Sequence, residues 1–191
     1  MKAAMEAAVE SGIKLDYTIS FAWPISSPLI ETTADEAAEV SLATGSTKIT
    51  AGTSYRGAVP TGAEWKTNAR LLSVTAARVT SERTEAGGGW PPRPASTVYD
   101  VENPVDITAL AYEDAESACG YSIAYEVPDD GDYVIFGSWE SPTESKKNGY
   151  LVIDHYGEAG AQAIIDYWVN DVIPAVGEDL FRAASRSIFC D

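Results

Sequence analysis

The chain has few basic residues for its content of acidic ones. Only 13 Lys and Arg stand against 29 Asp and Glu among 191 residues, which gives a net charge of −16. An electrostatic field of this sign repels phosphate backbones and anionic headgroups, so nucleic acid and membrane surfaces are poor partners. Neutral ligands remain compatible with such a surface, and so do cations such as calcium, which take oxygen ligands.

Cysteine and histidine are too scarce for common zinc or disulfide arrangements, and long apolar runs are also lacking. Cys119 and Cys190 lack CxxC spacing and His155 is the single histidine, so we expect neither a zinc site nor a disulfide framework. No run approaches the ~20 apolar residues of a membrane span. The GxSxG, Walker, GxGxxG and HExxH motifs are missing, which argues against the enzyme classes that depend on them.

The two ends of the chain have the pattern of an α/β protein. An amphipathic helix is predicted before Gly12, and residues 13–21 alternate apolar and polar side chains as a strand does. Residues 150–153 form a continuous apolar run, which is typical of a strand covered on both faces, and a helix is predicted from Gly157. Residues 187–190 have the composition of a third buried strand.

The middle of the chain, residues 36–140, has the pattern of a β-rich region. Short alternating runs separated by Gly, Pro, Ser and Thr predict strands at 38–42, 47–51, 71–81, 98–99, 121–126 and 133–138. The last two runs flank a Pro-Asp-Asp-Gly turn, so we expect them to pair as a hairpin.

Together these patterns predict an α/β fold with a β-rich insertion, namely a partial (β/α)8 barrel that is incomplete in this chain. The expected domains are a barrel segment at 1–35, the insertion at 36–140 and a second barrel segment at 141–191. About three parallel strands cannot close a barrel, which needs eight. We therefore expect the chain to be an internal fragment of a longer protein.

The candidate site residues follow the predicted parallel strands, because the carboxyl ends of such strands carry the functional groups of α/β folds. They are Trp23 after the first strand, Asp154 and His155 after the second, and Asp191 after the third. Each also has a structural explanation. Trp23 fits core packing, Asp154 and His155 fit a helix cap and a loop hydrogen bond, and Asp191 fits the solvated end of a strand.

Four segments carry a family resemblance. They are Gly-Ile-Lys-Leu-Asp-Tyr-Thr-Ile-Ser-Phe-Ala-Trp-Pro-Ile-Ser-Ser-Pro at 12–28, Tyr-Glu-Val-Pro-Asp-Asp-Gly-Asp-Tyr-Val-Ile at 125–135, Gly-Tyr-Leu-Val-Ile-Asp-His-Tyr-Gly-Glu-Ala-Gly-Ala-Gln-Ala at 149–163 and Ser-Ile-Phe-Cys-Asp at 187–191. In this order they resemble the barrel region of glycoside hydrolase family 106, the α-L-rhamnosidases and their relatives. One departure is Ala22, which replaces the family's Gly before Trp.

The resemblance implies a (β/α)8 barrel with an inserted β region, which hydrolyses glycosides with inversion by two carboxylates and often holds a calcium ion. It implies that Trp23, Asp154, His155 and Asp191 face a sugar pocket, and it places a catalytic Glu beyond Asp191. The expected function is accordingly that of a glycoside hydrolase fragment, inactive alone, with a carbohydrate substrate and a secreted or periplasmic parent protein.

A non-catalytic carbohydrate-binding or adhesion module is the alternative. In that case Trp65, Trp90 and Trp139 of the β-rich region would form an aromatic platform for sugar rings. Five Trp in 191 residues are also normal packing material. The solvent exposure of these side chains therefore decides between platform and core.

Overall fold

The computed structural model describes residues 1–20, 23–89 and 94–189. Numbered along the chain, its elements are α1 Lys2–Glu10, β1 Leu15–Thr18, β2 Val40–Ile49, β3 Ser54–Ala58, β4 Arg70–Glu85, β5 Ser96–Asp106, β6 Ala111–Glu113, β7 Tyr121–Glu126, β8 Tyr133–Pro142, β9 Lys146–Lys147, β10 Tyr150–Leu151, α2 Glu158–Tyr167, α3 Ile173–Val176, α4 Glu178–Ala184 and β11 Ser185–Phe189. A 3₁₀ turn at Thr108–Leu110 and a π-helical turn at Trp168–Val172 complete them. The chain divides into two units, one formed by Met1–Val40 with Pro142–Asp191 and the other by Ser41–Ser141.

The Ser41–Ser141 unit is built from two β-sheets. One sheet has four strands in the order β2-β8-β4-β5, and the other has three in the order β3-β7-β6. Val74 of β4, Ile135 of β8 and Ile123 of β7 belong to one hydrophobic core, and each of these side chains is fully buried. Because the core takes residues from both sheets, the unit is a β-sandwich, in which the inner faces of the sheets pack together.

The predicted hairpin between 121–126 and 133–138 is wrong, although both strands exist. β7 lies in the three-stranded sheet and β8 lies at a central position of the four-stranded sheet. Both Val134 and Ile135 of β8 are fully buried, so this strand is covered on both faces. The turn at Gly131 therefore carries the chain from one sheet to the other, so that Ile123 and Ile135 contribute to the same core from two different sheets.

Two predicted short strands, 38–42 and 47–51, correspond to the single strand β2. Gly45 lies between the two predicted strands and suggested a break there, but in the structure it lies within β2. Another segment of backbone passes close to it. A Cβ at Gly45 would stand only 2.3 Å from the carbonyl carbon of Thr61. The glycine is thus needed for a close approach of two chain segments, which is a common use of glycine in strands.

The unit formed by Met1–Val40 and Pro142–Asp191 combines helices with short strands. β1 and β11 pair in parallel, with Leu15 opposite Ser185. The helix predicted at the start of the chain is confirmed as α1, and its Met5 is fully buried. The helix predicted from Gly157 is confirmed as α2. A separate core packs Ile164 of α2 and Trp168 against Ile25 and Ile153.

The predicted partial (β/α)8 barrel, and with it the α/β fold class, is wrong. Most of the regular structure is β-strand and its sheets are largely antiparallel. Residues 151–153 of the apolar run are buried as predicted, but Tyr150 at its start is exposed. β10 pairs antiparallel with β9, and Val152 and Ile153 form single antiparallel bridges with Ser26 and Ala38. A continuous apolar run indicates cover on both faces, but it does not indicate the direction of the neighbouring strand. Here loop residues and α2 provide that cover.

Candidate functional site

Trp23 and His155 lie in contact on the surface of the first unit. Their ring centroids are 5.2 Å apart and the ring planes are tilted by 51°. Trp23 is 59% exposed, so much of its side chain is open to solvent even though its ring lies against the imidazole. The peptide bond between Trp23 and Pro24 is cis. The structure thus presents an exposed aromatic side chain at a position that the sequence had assigned to the site.

The loop after Trp23 is fixed by hydrogen bonds to the segment before Asp154. The Ser26 hydroxyl donates to the carbonyl oxygen of Lys147 at 3.0 Å, and the Ser27 amide donates to that of Leu151 at 3.2 Å. Residues 25–27 are buried. Because these bonds hold two distant parts of the chain side by side, Trp23 is positioned by backbone that is itself well packed.

A hydrogen bond to His155 indicates the tautomer of its neutral imidazole. The backbone amide of Ile25 donates to Nε2 of His155 at 3.2 Å. A backbone N–H can only donate, so Nε2 must act as the acceptor, and in the neutral imidazole the proton is then on Nδ1. Nδ1 is the nitrogen left to donate a hydrogen bond to a ligand.

Asp154 is held in the turn that leads into α2. Its amide donates to the carbonyl oxygen of Ala37 at 2.8 Å, and its Oδ1 accepts from the amide of Tyr156 at 3.0 Å. The carbonyl of Asp154 lies so close to Gly160 that a Cβ there would stand 2.0 Å from its oxygen. The loop hydrogen bond foreseen as the structural explanation of this residue is therefore present. The carboxylate also lies near the start of a helix, where negative charge is favoured.

Tyr156 was not among the predicted site residues. It is fully exposed and directly follows His155. An aromatic residue in a short loop between a buried run and a helix is the signal that could have identified it, since loops carry much of the binding surface of proteins. We refer to Trp23, Asp154, His155 and Tyr156 together as the Trp23 surface. It offers exposed aromatic rings, a donor nitrogen and a carboxylate acceptor.

Trp65 and Trp139 do not form the exposed aromatic platform that was considered for the β-rich region. Trp139 is fully buried, and its Nε1 donates to the carbonyl oxygen of Pro60 at 2.8 Å. Trp65 packs edge-on against Trp139 with ring centroids 6.1 Å apart. Trp90 lies outside the described residues. Trp65 and Trp139 are thus part of the sandwich core.

Two carboxyl groups with a lowered pKa, those of Asp16 and Asp100, have partners on neighbouring strands. Hydrogen bonds from Arg186 and then Ser187 lower the pKa of Asp16 to about 2. In the sandwich, the Ser81 hydroxyl and then the Arg83 guanidinium lower the pKa of Asp100. These groups join neighbouring strands, so their pKa shifts indicate ion pairs and hydrogen bonds and do not mark an acid–base pair.

Asp191, the fourth predicted site residue, lies outside the described residues. Within 1–20, 23–89 and 94–189, no group of three or more His, Cys, Asp or Glu side chains could hold a metal ion. The calcium ion implied by the family resemblance therefore has no such cluster there.

Among the helices that the structure describes, none is long and apolar enough to cross a membrane. Comparison with protein-family models, curated proteins and solved structures found no match to this chain.

Proposed function

We propose that the chain binds neutral carbohydrate at the Trp23 surface, as a non-catalytic binding module. The observation that carries this proposal is the exposed indole of Trp23, held at 5.2 Å from the ring of His155. Large aromatic side chains combine an apolar face with little conformational entropy to lose, which suits them to binding sites. The C–H face of a sugar ring is an apolar partner for such an indole, and its hydroxyl groups require polar neighbours.

Two polar groups of the Trp23 surface fit the hydroxyl groups of a sugar, one on His155, which lies against Trp23, and one on Asp154, which precedes His155 in the chain. Nδ1 of His155 can donate a hydrogen bond, and the carboxylate of Asp154 can accept one. Hydrogen bonds to a charged acceptor are stronger than those between neutral groups. The net charge of −16 disfavours anionic ligands and leaves uncharged sugars unaffected.

Glycoside hydrolysis of the α-L-rhamnosidase type stays a prediction. That reaction usually needs two carboxyl groups, one as acid and one as base or nucleophile. Asp154 is the one predicted site carboxylate within the described residues, and it already accepts a hydrogen bond from the amide of Tyr156. We therefore expect binding without turnover, so an aryl α-L-rhamnoside should remain intact with this chain. Release of the aryl group that is lost in Asp154→Asn would contradict this expectation.

The binding proposal is tested by calorimetric titration with methyl α-L-rhamnoside and a panel of neutral glycosides. Trp23→Ala should weaken binding at least about tenfold, since removing roughly 1.4 kcal/mol of binding free energy has that effect. The matched control is Tyr112→Ala, which removes another exposed aromatic ring, from the sandwich unit. Its affinity should equal that of the unmodified chain.

Two outcomes would overturn the proposal. Absence of binding to every glycoside tried would remove carbohydrate as the ligand class. Equal affinity in Trp23→Ala and Tyr112→Ala would show that the sugar binds elsewhere. Circular dichroism of both variants checks that each has kept the native fold, and an exposed position such as Trp23 should tolerate truncation.

A further inference from the structure

A cavity of about 330 Å³ lies in the unit formed by Met1–Val40 and Pro142–Asp191. The side chains of its lining that matter here are those of Tyr17, Ile19, Ile164, Tyr167, Trp168 and Val172. The volume is at the lower end of the range found for small-molecule sites, about 300–1,000 Å³. Neither Trp23 nor His155 contributes to this lining, so the cavity is separate from the Trp23 surface.

The walls of the cavity are mainly aromatic and aliphatic. Tyr17 and Trp168 meet edge to face, with ring centroids 6.3 Å apart and planes at 62°. Nε1 of Trp168 already donates to the carbonyl oxygen of Ile19 at 2.9 Å. Because its polar atom is occupied, the indole has only apolar surface and ring edges to offer a ligand. Aromatic rings pack favourably in such offset or edge-to-face arrangements.

The polar part of the lining is small. The lining residues with polar side chains are Asp16, Thr18, Ser20 and Ser26, together with Tyr17 and Tyr167, whose rings carry a phenolic hydroxyl. The hydroxyl of Tyr17 is buried and has no hydrogen-bond partner among the described residues. Arg186 forms an ion pair with Asp16, so that charge is matched within the protein. Because Asp16 and Arg186 compensate each other, a bound anion would compete with Asp16 for Arg186, and a bound cation would compete with Arg186 for Asp16. An uncharged ligand is subject to neither penalty.

We infer that this cavity is a binding site for a small uncharged aromatic molecule. The aromatic walls supply ring contacts, the aliphatic side chains add apolar contact area, and the hydroxyl groups orient the ligand. This combination of an apolar lining with a small number of polar groups is typical of sites for small organic ligands.

The experiment titrates the full chain with N-phenyl-1-naphthylamine, an uncharged aromatic probe whose fluorescence rises in apolar surroundings. Val172→Trp fills the cavity and should weaken binding at least tenfold. The matched control is Val169→Trp, which adds the same side chain at an exposed position of the same π-helical turn, outside the lining. Its affinity should stay within twofold of that of the unmodified chain.

A second variant covers the case in which Val172→Trp fails to fold, as judged by circular dichroism. Tyr167→Ala removes a half-buried ring from the wall and should also lower the affinity for the probe at least fivefold. Trp23→Ala should leave it unchanged, which separates this site from the carbohydrate proposal. The inference is overturned if the unmodified chain shows no saturable binding. It is also overturned if the folded cavity variants bind as well as Val169→Trp, or if the anionic probe 8-anilinonaphthalene-1-sulfonate binds as tightly as the uncharged one.

Discussion

Replacing Trp139 by Phe tests how the sandwich core is held together. The indole is fully buried, donates from Nε1 to the carbonyl oxygen of Pro60 at 2.8 Å, and meets the rings of Trp65 and Tyr121 at centroid distances of 6.1 Å. Loss of the donor from a buried carbonyl costs about 1–3 kcal/mol. The smaller ring leaves roughly 40 Å³ unfilled, which adds about 1 kcal/mol at ~24 cal/mol per Å³. The free energy of unfolding should therefore fall by about 2–4 kcal/mol.

The assay is urea denaturation followed by far-UV circular dichroism, because tryptophan fluorescence would change with the substitution itself. The midpoint should fall while the dependence on urea concentration stays the same, which marks a change in stability alone. Trp23→Phe is the control, since Trp23 is exposed, and it should change the free energy of unfolding by less than about 0.5 kcal/mol. A loss below about 1 kcal/mol in Trp139→Phe would refute both the hydrogen bond and the tight packing of the indole.

Two further predictions concern a close contact and an ion pair. Gly137→Ala should lower the unfolding free energy by about 1–3 kcal/mol, because the new Cβ would stand 2.3 Å from the Pro60 carbonyl oxygen. Gly88→Ala, with nothing within 4 Å of its Cβ, should leave the melting temperature unchanged, and equal melting temperatures of the two variants would contradict the close contact. The Arg186 guanidinium lowers the pKa of Asp16 from 3.8 to about 2, so the stabilisation from this carboxylate is present above pH 3.8 and is lost as the pH falls towards 2. Asp16→Asn should flatten the melting temperature against pH in this window, and a slope as steep as that of the unmodified chain would speak against the ion pair.

Local structure was largely readable from the sequence. The apolar spacing before Gly12 predicted α1, and the alternation at 121–126 predicted β7 with its observed bounds. The predicted burial of the apolar run was correct for 151–153 and wrong for Tyr150, which is exposed. These features depend on periodicity within a few residues, and helical and extended backbones place neighbouring side chains in fixed directions.

The pairing of strands could not be obtained in the same way. The turn at Gly131 is compatible both with a hairpin and with a passage between two sheets. The choice depends on how Ile123 and Ile135 pack against the rest of the core, which involves residues far apart in the chain. Likewise the direction of β10 is set by its partner β9 and by the bridges at 152 and 153, and the apolar run itself carries no information on direction.

The candidate site shows the same division. Sequence reasoning selected Trp23, Asp154 and His155 one by one, from their positions after apolar runs, and the charge of −16 limited the ligand classes from composition alone. Only the tertiary structure showed that Trp23 is exposed while Trp139 is buried, and that Tyr156 is fully exposed. An indole is equally suited to a core and to a binding surface, because its free energy of transfer favours any apolar partner. Which partner it has is decided by the long-range hydrogen bonds and contacts that place each ring, and these arise only when distant segments of the chain come together.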